Sequence, residues 1–273
     1  MRLKDTVLHR WLGVPHKLHV RLRRPQLSRK APTLLFLHGI GNSGEDWQNV
    51  IQQLPPHYQA ITIDLLGFGK SPKPVWANYS AKRQARAVIA TYVRLRVRGK
   101  VVIVGHSLGA LVAVEIAKRY PLLVRSLVLC SPPFYKTNSE KRRIFPNADT
   151  LLQDIYRHAG THSEQFLKIA TLAVRLGLTK KPFHLTPENI DIYMNALEAS
   201  ILNQTSLQDA TKIHLPIHIV YGRLDPILIS QNIRWLAKVN EQVDVSTVLA
   251  AHEIKGPYTQ AVVKTITATM DKA

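Results

Sequence analysis

Hydrophobic and polar positions follow two periods along this chain. Val101-Val102-Ile103-Val104 is an unbroken β-branched run, the pattern of a strand buried on both faces. Beyond the turn Gly105-His106-Ser107-Leu108-Gly109, the residues Leu111, Val112, Val114 and Ile116 mark an apolar helix. Residues 33–37, 60–64, 124–130, 217–221 and 243–249 read as further strands. Residues 16–23 alternate strictly, with Leu18, Val20 and Leu22 on one face, and predict a half-buried strand. Its expected antiparallel partner is residues 6–12, across Gly13-Val14-Pro15. Helical spacing appears between the strands: Trp47, Val50, Ile51 and Leu54 share one face, as do Ala81, Ala85, Val88, Ile89, Tyr92 and Val93. Two more helices are expected, one capped by Ser230 and running to Lys238, the other closing the chain near 258–270. Strands alternating with helices at this spacing define an α/β fold, a mostly parallel sheet covered on both faces.

The alternation stops between Phe134 and Lys212, where no strand is evident. Helices are expected near 148–158 and 163–176. A third starts at Thr186 as N-cap, with Pro187 in the first helical position, and runs through Ile190, Tyr193, Met194, Leu197 and Ile201. The organisation expected is therefore a core of residues 1–133 and 213–273 interrupted by a helical cap, residues 134–212. Neither internal repeats nor low-complexity segments occur.

Composition narrows the function classes. One cysteine, Cys130, leaves no intramolecular disulfide framework and no cysteine-based zinc site, so a cytoplasmic location is expected. At the end of Leu127-Val128-Leu129 it reads as a small buried hydrophobe. No apolar run is long enough to span a membrane, and none near the N-terminus resembles a signal-peptide core. The 37 Lys and Arg against 18 Asp and Glu give a net charge of +19, which leaves room for peripheral contact with anionic membranes. Specific nucleic-acid binding is not expected, because no aromatic residues interleave with the basic runs to stack on bases. Phosphate-cradling and dinucleotide loops are missing, as are HExxH-type metal clusters, so no cofactor and no metal are implied.

The candidate chemistry sits where strands end. Gly105-x-Ser107-x-Gly109 follows a buried strand and opens a helix, the context of a nucleophile elbow. Side chains at 105 or 109 are expected to collide with neighbouring backbone. A serine hydroxyl needs an adjacent base, and the base needs an orienting partner. Asp225 and His252 each follow a predicted strand, so a parallel sheet would gather Ser107, Asp225 and His252 at its carboxyl edge. With these motifs, HGIGNS at 38–43, DLLGFGKS at 64–71, GHSLGA at 105–110, GRLDP at 222–226 and AHEIKG at 251–256, the chain resembles the α/β-hydrolases of the cap-bearing esterase/lipase-like type over nearly its full length. It has Ala251-His252 where that family often has Gly-His.

The resemblance implies Ser107 as nucleophile, His252 as general base and then acid, and Asp225 as the carboxylate orienting the imidazole. It implies an oxyanion hole from the backbone N–H groups of Ile40 and Leu108. His38, His106 and Asp64 flank the site and are expected to be structural. The activity implied is hydrolysis of a carboxylic ester through an acyl-enzyme, on a small apolar acyl or aryl substrate lined by loops near Ile40, Phe134 and Ile227. Alternatives on the same fold are carbon–carbon bond hydrolysis, whose enzymes usually carry Asn where this chain has His106, acyl transfer, and a non-catalytic ligand-binding role. Serine at the elbow argues against dehalogenase and epoxide hydrolase relatives, which carry aspartate there.

Overall fold

A computed structural model describes residues 6–24, 33–97, 99–136, 140 and 190–271. The strands are β1 (Val20–Arg24), β2 (Thr33–Leu37), β3 (Gln59–Ile63), β4 (Val101–His106), β5 (Val124–Cys130), β6 (Ile217–Gly222) and β7 (Val243–Val248). They form one sheet in the order β1-β3-β2-β4-β5-β6-β7. All neighbouring pairs are parallel except β1 with β3. The helices are α1 (Gln48–Gln53), α2 (Ala81–Arg94), α3 (Leu108–Arg119), α4 (Ile190–Ala196), α5 (Ser206–Ala210), α6 (Ser230–Val239) and α7 (Pro257–Asp271). A wider turn, Leu197–Leu202, continues α4. The helices expected near 148–158 and 163–176, and the Thr186-Pro187 start of the third, lie outside the described residues. None of the described helices is long and apolar enough to cross a membrane.

Period-two side-chain alternation sorts each central strand between two cores. Leu35, Leu37, Ile103, Leu127 and Leu129 face the side covered by α2 and α3. Leu34, Phe36, Val102, Val104, Val128 and Cys130 face the side covered by α1 and α7. Cys130 is fully buried and burial pushes its thiol pKa up, as for a packing residue. On α2 the stripe Ala85, Val88, Ile89 and Tyr92 is buried, while Val93 is mostly exposed. Ser230 is the first residue of α6 and does not cap it; Ile229 stands at the cap position.

The amino-terminal segment departs from its pattern. Residues Thr6–Trp11 form a wide helical turn closed by Leu12 N–H donating to Val7 C=O at 2.9 Å, so they are no partner for β1. β1 pairs with β3, and its register shifts so that Val20 faces Ile63 and Leu22 faces Thr62. Arg21 is thus the extra residue of a β-bulge. Because of the bulge Val20 packs on one core and Leu22 on the other, although their spacing would put them on one face.

The bulge aims Arg21 at Asp64, whose side chain is fully buried, with Nη2 to Oδ2 at 3.0 Å and Nε to Oδ1 at 3.1 Å. Asp64 also accepts the N–H groups of Gly44 and Lys70, each at 2.8 Å, and so ties the loop after β2 and its own loop after β3 to β1. Burial alone would raise the pKa of Asp64; Arg21 and the two N–H groups outweigh it, and the carboxyl ends below its ordinary value. Its pairing therefore contributes stability above the unfolded-state value, about 3.9, and that contribution is lost as pH falls through the depressed folded value. Asp64→Ala is expected to cost about 3 kcal/mol at neutral pH and to flatten the acid limb of the stability curve, measured by urea unfolding from pH 7 downward.

Candidate active site

Parallel strands end at one edge, and Ser107, Asp225 and His252 all lie just beyond it. Ser107 is the residue between β4 and α3, with φ 52° and ψ −117°. A non-glycine residue there is strained, at a cost of about 1–3 kcal/mol. The flanking glycines are required by close approach. A Cβ on Gly105 would lie 2.4 Å from the Gly109 carbonyl oxygen, and one on Gly109 would lie 2.2 Å from the Leu37 carbonyl oxygen. The expected backbone collisions are therefore present at both positions. Ser107 N–H donates to Cys130 C=O at 3.0 Å, fixing the turn to β5. The Ser107 hydroxyl is buried and has no hydrogen-bond partner among the described residues.

His252 and Asp225 form a buried pair, His252 Nδ1 to Asp225 Oδ2 at 2.7 Å. A carboxylate only accepts, so Nδ1 carries the proton and Nε2 of the neutral ring is left with its lone pair. The other carboxylate oxygen, Oδ1, accepts Ile227 N–H at 3.0 Å. Burial pushes the Asp225 pKa up. The charge and hydrogen bond of His252, the Ile227 N–H and the Ser131 hydroxyl more than offset this, and the pKa falls below the ordinary carboxylate value.

The loop between β2 and α1 runs beside the elbow. A Cβ on Gly39 would lie 3.4 Å from Ser107 Cβ and 3.2 Å from His106 Nδ1, so the Gly39-Ile40 backbone borders the serine. Leu108 opens α3, where N–H groups have no intrahelical acceptor. His38 donates Nδ1–H to Gly39 C=O at 2.7 Å and accepts Leu65 N–H at Nε2 at 2.9 Å, tying this loop to the one after β3. Burial lowers its pKa and favours the neutral ring. Asp64 holds loops rather than pointing to Ser107's hydroxyl, as described above.

Two further residues neighbour the pair: His106, expected to be structural, and Ser131, which did not stand out in the sequence. His106 donates Nε2–H to the backbone carbonyl of His252 at 3.0 Å, and the two rings lie 4.7 Å apart. Ser131, the residue after β5, has φ 46° and a fully buried side chain. Its hydroxyl lies beside Asp225 and 2.8 Å from the Tyr258 hydroxyl, and the Tyr258 hydroxyl lies 2.9 Å from Val220 C=O. The signal for Ser131 was available, since it too follows a buried parallel strand. Ser131→Ala is expected to lower kcat several-fold with KM little changed, because the Asp225 carboxylate that steadies His252 loses a neighbouring hydroxyl. An unchanged kcat would assign Ser131 to packing alone.

α4 and the turn that continues it lie over this edge. Tyr193 on α4 packs on the Gly41 backbone and Ile192 on Gly67, while Ser200 Oγ donates to Tyr79 C=O at 2.7 Å. Phe134 and Ile227 are buried, and Tyr135 donates its hydroxyl to Ile227 C=O at 2.9 Å. Among the described residues no group of His, Cys, Asp and Glu side chains is placed to hold a metal ion.

A family model described as alpha/beta hydrolase fold matches residues 32–253, and the chain belongs to that family. Among curated proteins it is 28% identical over 227 residues to the pimeloyl-[acyl-carrier protein] methyl ester esterase of Vibrio campbellii, covering 78% of this chain and 83% of that protein. It is 31% identical over 134 residues to probable lysophospholipase BODYGUARD 2 of Arabidopsis thaliana, covering 46% of this chain but only 28% of that longer protein. Among solved structures, a thermophilic esterase from Thermogutta terrifontis superposes with a TM-score of 0.75 at 18% identity, over 93% of each chain. That likeness is one of fold.

Proposed function

We propose that this protein is a serine hydrolase of carboxylic esters. The observation that carries the reading is the buried His252–Asp225 pair, 2.7 Å apart and at the same sheet edge as a positive-φ serine. In this reading Ser107 Oγ attacks the ester carbonyl as His252 Nε2 takes its proton, and Asp225 steadies the imidazolium. The tetrahedral oxyanion is received by the N–H groups of Leu108 and Ile40, each worth about 3 kcal/mol of transition-state stabilisation. His252 then protonates the leaving alcohol and activates the water that releases the acid. The Ser107–His252 hydrogen bond forms when substrate closes the site, as catalytic hydrogen bonds commonly tighten on binding. The substrate's apolar acyl or aryl group lies near Ile40, Phe134 and Ile227, under a cap formed by residues 134–212.

The test is reaction with a fluorophosphonate probe, with the labelled peptide mapped, alongside turnover of p-nitrophenyl esters of increasing acyl length. Stoichiometric label on Ser107 and a defined chain-length optimum are expected. Folded protein that neither labels nor turns over any ester would overturn the proposal.

A further inference from the structure

A second concave site lies toward the β1 end of the sheet. The Thr6–Trp11 turn, the following segment through His16, and the first turns of α2 enclose a cavity of 270 Å³. Its wall carries Arg10, Lys82, Arg83 and Arg86, with His9 and His16 stacked at 3.8 Å between ring centroids. Among the described residues no carboxylate lines it. Four cations in one concavity repel one another unless an anion enters.

Two of the three guanidinium groups are held in place. Arg86 Nη2 donates to Gly13 C=O at 3.0 Å, and Arg83 Nε donates to Asn78 Oδ1 at 3.3 Å while its guanidinium lies 5.0 Å from the centre of the Trp76 ring. Burial, and then the charge of Arg86, lower the pKa of Arg83, which reports a partly desolvated cation beside another.

The start of α2 gives an independent indication. Helix N-termini carry partial positive charge and favour Asp or Glu in the first turn. This fourteen-residue helix has no acidic residue there and opens Ala81-Lys82-Arg83 behind its Ser80 cap. Cations at the positive pole are unfavourable for the isolated chain and favourable around a bound anion.

We propose that this pocket binds a dianionic phosphate group. Planar guanidinium forks suit phosphate oxygens, and a charge near −2 answers four cations better than a single carboxylate does. The cavity also touches the substrate edge. Leu66 in its wall belongs to the loop that His38 ties to the Gly39-Ile40 segment through Leu65 N–H. A phosphate held here therefore lies on the same edge as Ser107. Phosphate binding here does not depend on hydrolysis at Ser107 and is tested without turnover.

The experiment is calorimetric titration of the full chain with inorganic phosphate at constant ionic strength, with chloride as comparator. Saturable one-to-one binding is expected, weakened at least tenfold in Lys82→Ala/Arg86→Ala. Both residues are exposed, so the core is retained. A second variant, Lys238→Ala/Lys264→Ala, removes the same charge from exposed positions on α6 and α7, near the opposite end of the sheet, and should bind as wild type. Absence of saturable binding, or equal loss in both variants, would overturn the proposal. Sedimentation with phosphatidate vesicles identifies the source: retention reversed by inorganic phosphate assigns a lipid headgroup, and phosphate binding without vesicle retention assigns a soluble phosphate compound.

Discussion

Replacing Ser107 with alanine is expected to lower kcat for ester hydrolysis by about 10⁶-fold, leaving only what binding and the oxyanion donors supply. The loss is large because serine, base and carboxylate act as one unit. With no nucleophile, the proton acceptor at His252 Nε2 and the N–H groups at 40 and 108 have no covalent intermediate to serve. Stability should move the other way or not at all. The hydroxyl is buried without a partner among the described residues, and its removal relieves an unsatisfied group while alanine keeps the same backbone strain. Thermal unfolding measured beside kcat therefore separates a missing nucleophile from a damaged fold. Turnover within tenfold of wild type would sink the assignment of Ser107 as nucleophile.

The central sheet was legible because its physics is local. Four β-branched residues in β4 and the unbroken apolar runs of β2 and β5 can only be covered on both faces, and they are. The elbow was legible for the same kind of reason: Gly105 and Gly109 sit where a Cβ would meet backbone within 2.4 Å. The His252–Asp225 pairing followed from topology, since parallel strands deliver their following residues to one edge.

The amino-terminal region was not legible, and the cause is tertiary. Strict alternation through Leu18, Val20 and Leu22 predicts one face, but a single extra residue reverses it, and nothing in the local pattern marks Arg21 as that residue. What selects the bulge is Asp64, 43 positions away, whose buried carboxylate needs a cation. β1 stands at the edge of the sheet with only β3 beside it, yet residues 6–12 do not add to its outer side and close a helical turn instead. His106 was read as a structural neighbour of the site, but its partner was not legible. Its position inside the elbow motif suggests a turn residue, and only the folded path of the β7 loop brings the His252 carbonyl to it, 146 residues away.

Asp225→Asn should lower kcat by about 10⁴-fold with little change in KM. Asparagine fills the same volume, but its amide can turn its NH₂ group toward Nδ1. The imidazole would then place its proton on Nε2, the nitrogen that has to accept the proton of Ser107. The buried pair also predicts a pH effect with a definite sign. Because the folded Asp225 pKa is depressed, its ionised form stabilises the native state above the unfolded value of about 3.9, and that contribution disappears as pH falls through the folded value. The asparagine variant lacks the titrating group and should lose stability less steeply on acidification than wild type. Kinetics at neutral pH and urea unfolding across the acid range make the two readings independent. A variant with nearly full kcat but a flattened acid limb would mean that Asp225 holds the His252 loop in place without setting its tautomer. Loss of both would mean that one carboxylate does the two jobs, which is what its two oxygens suggest, one on His252 Nδ1 and the other on Ile227 N–H.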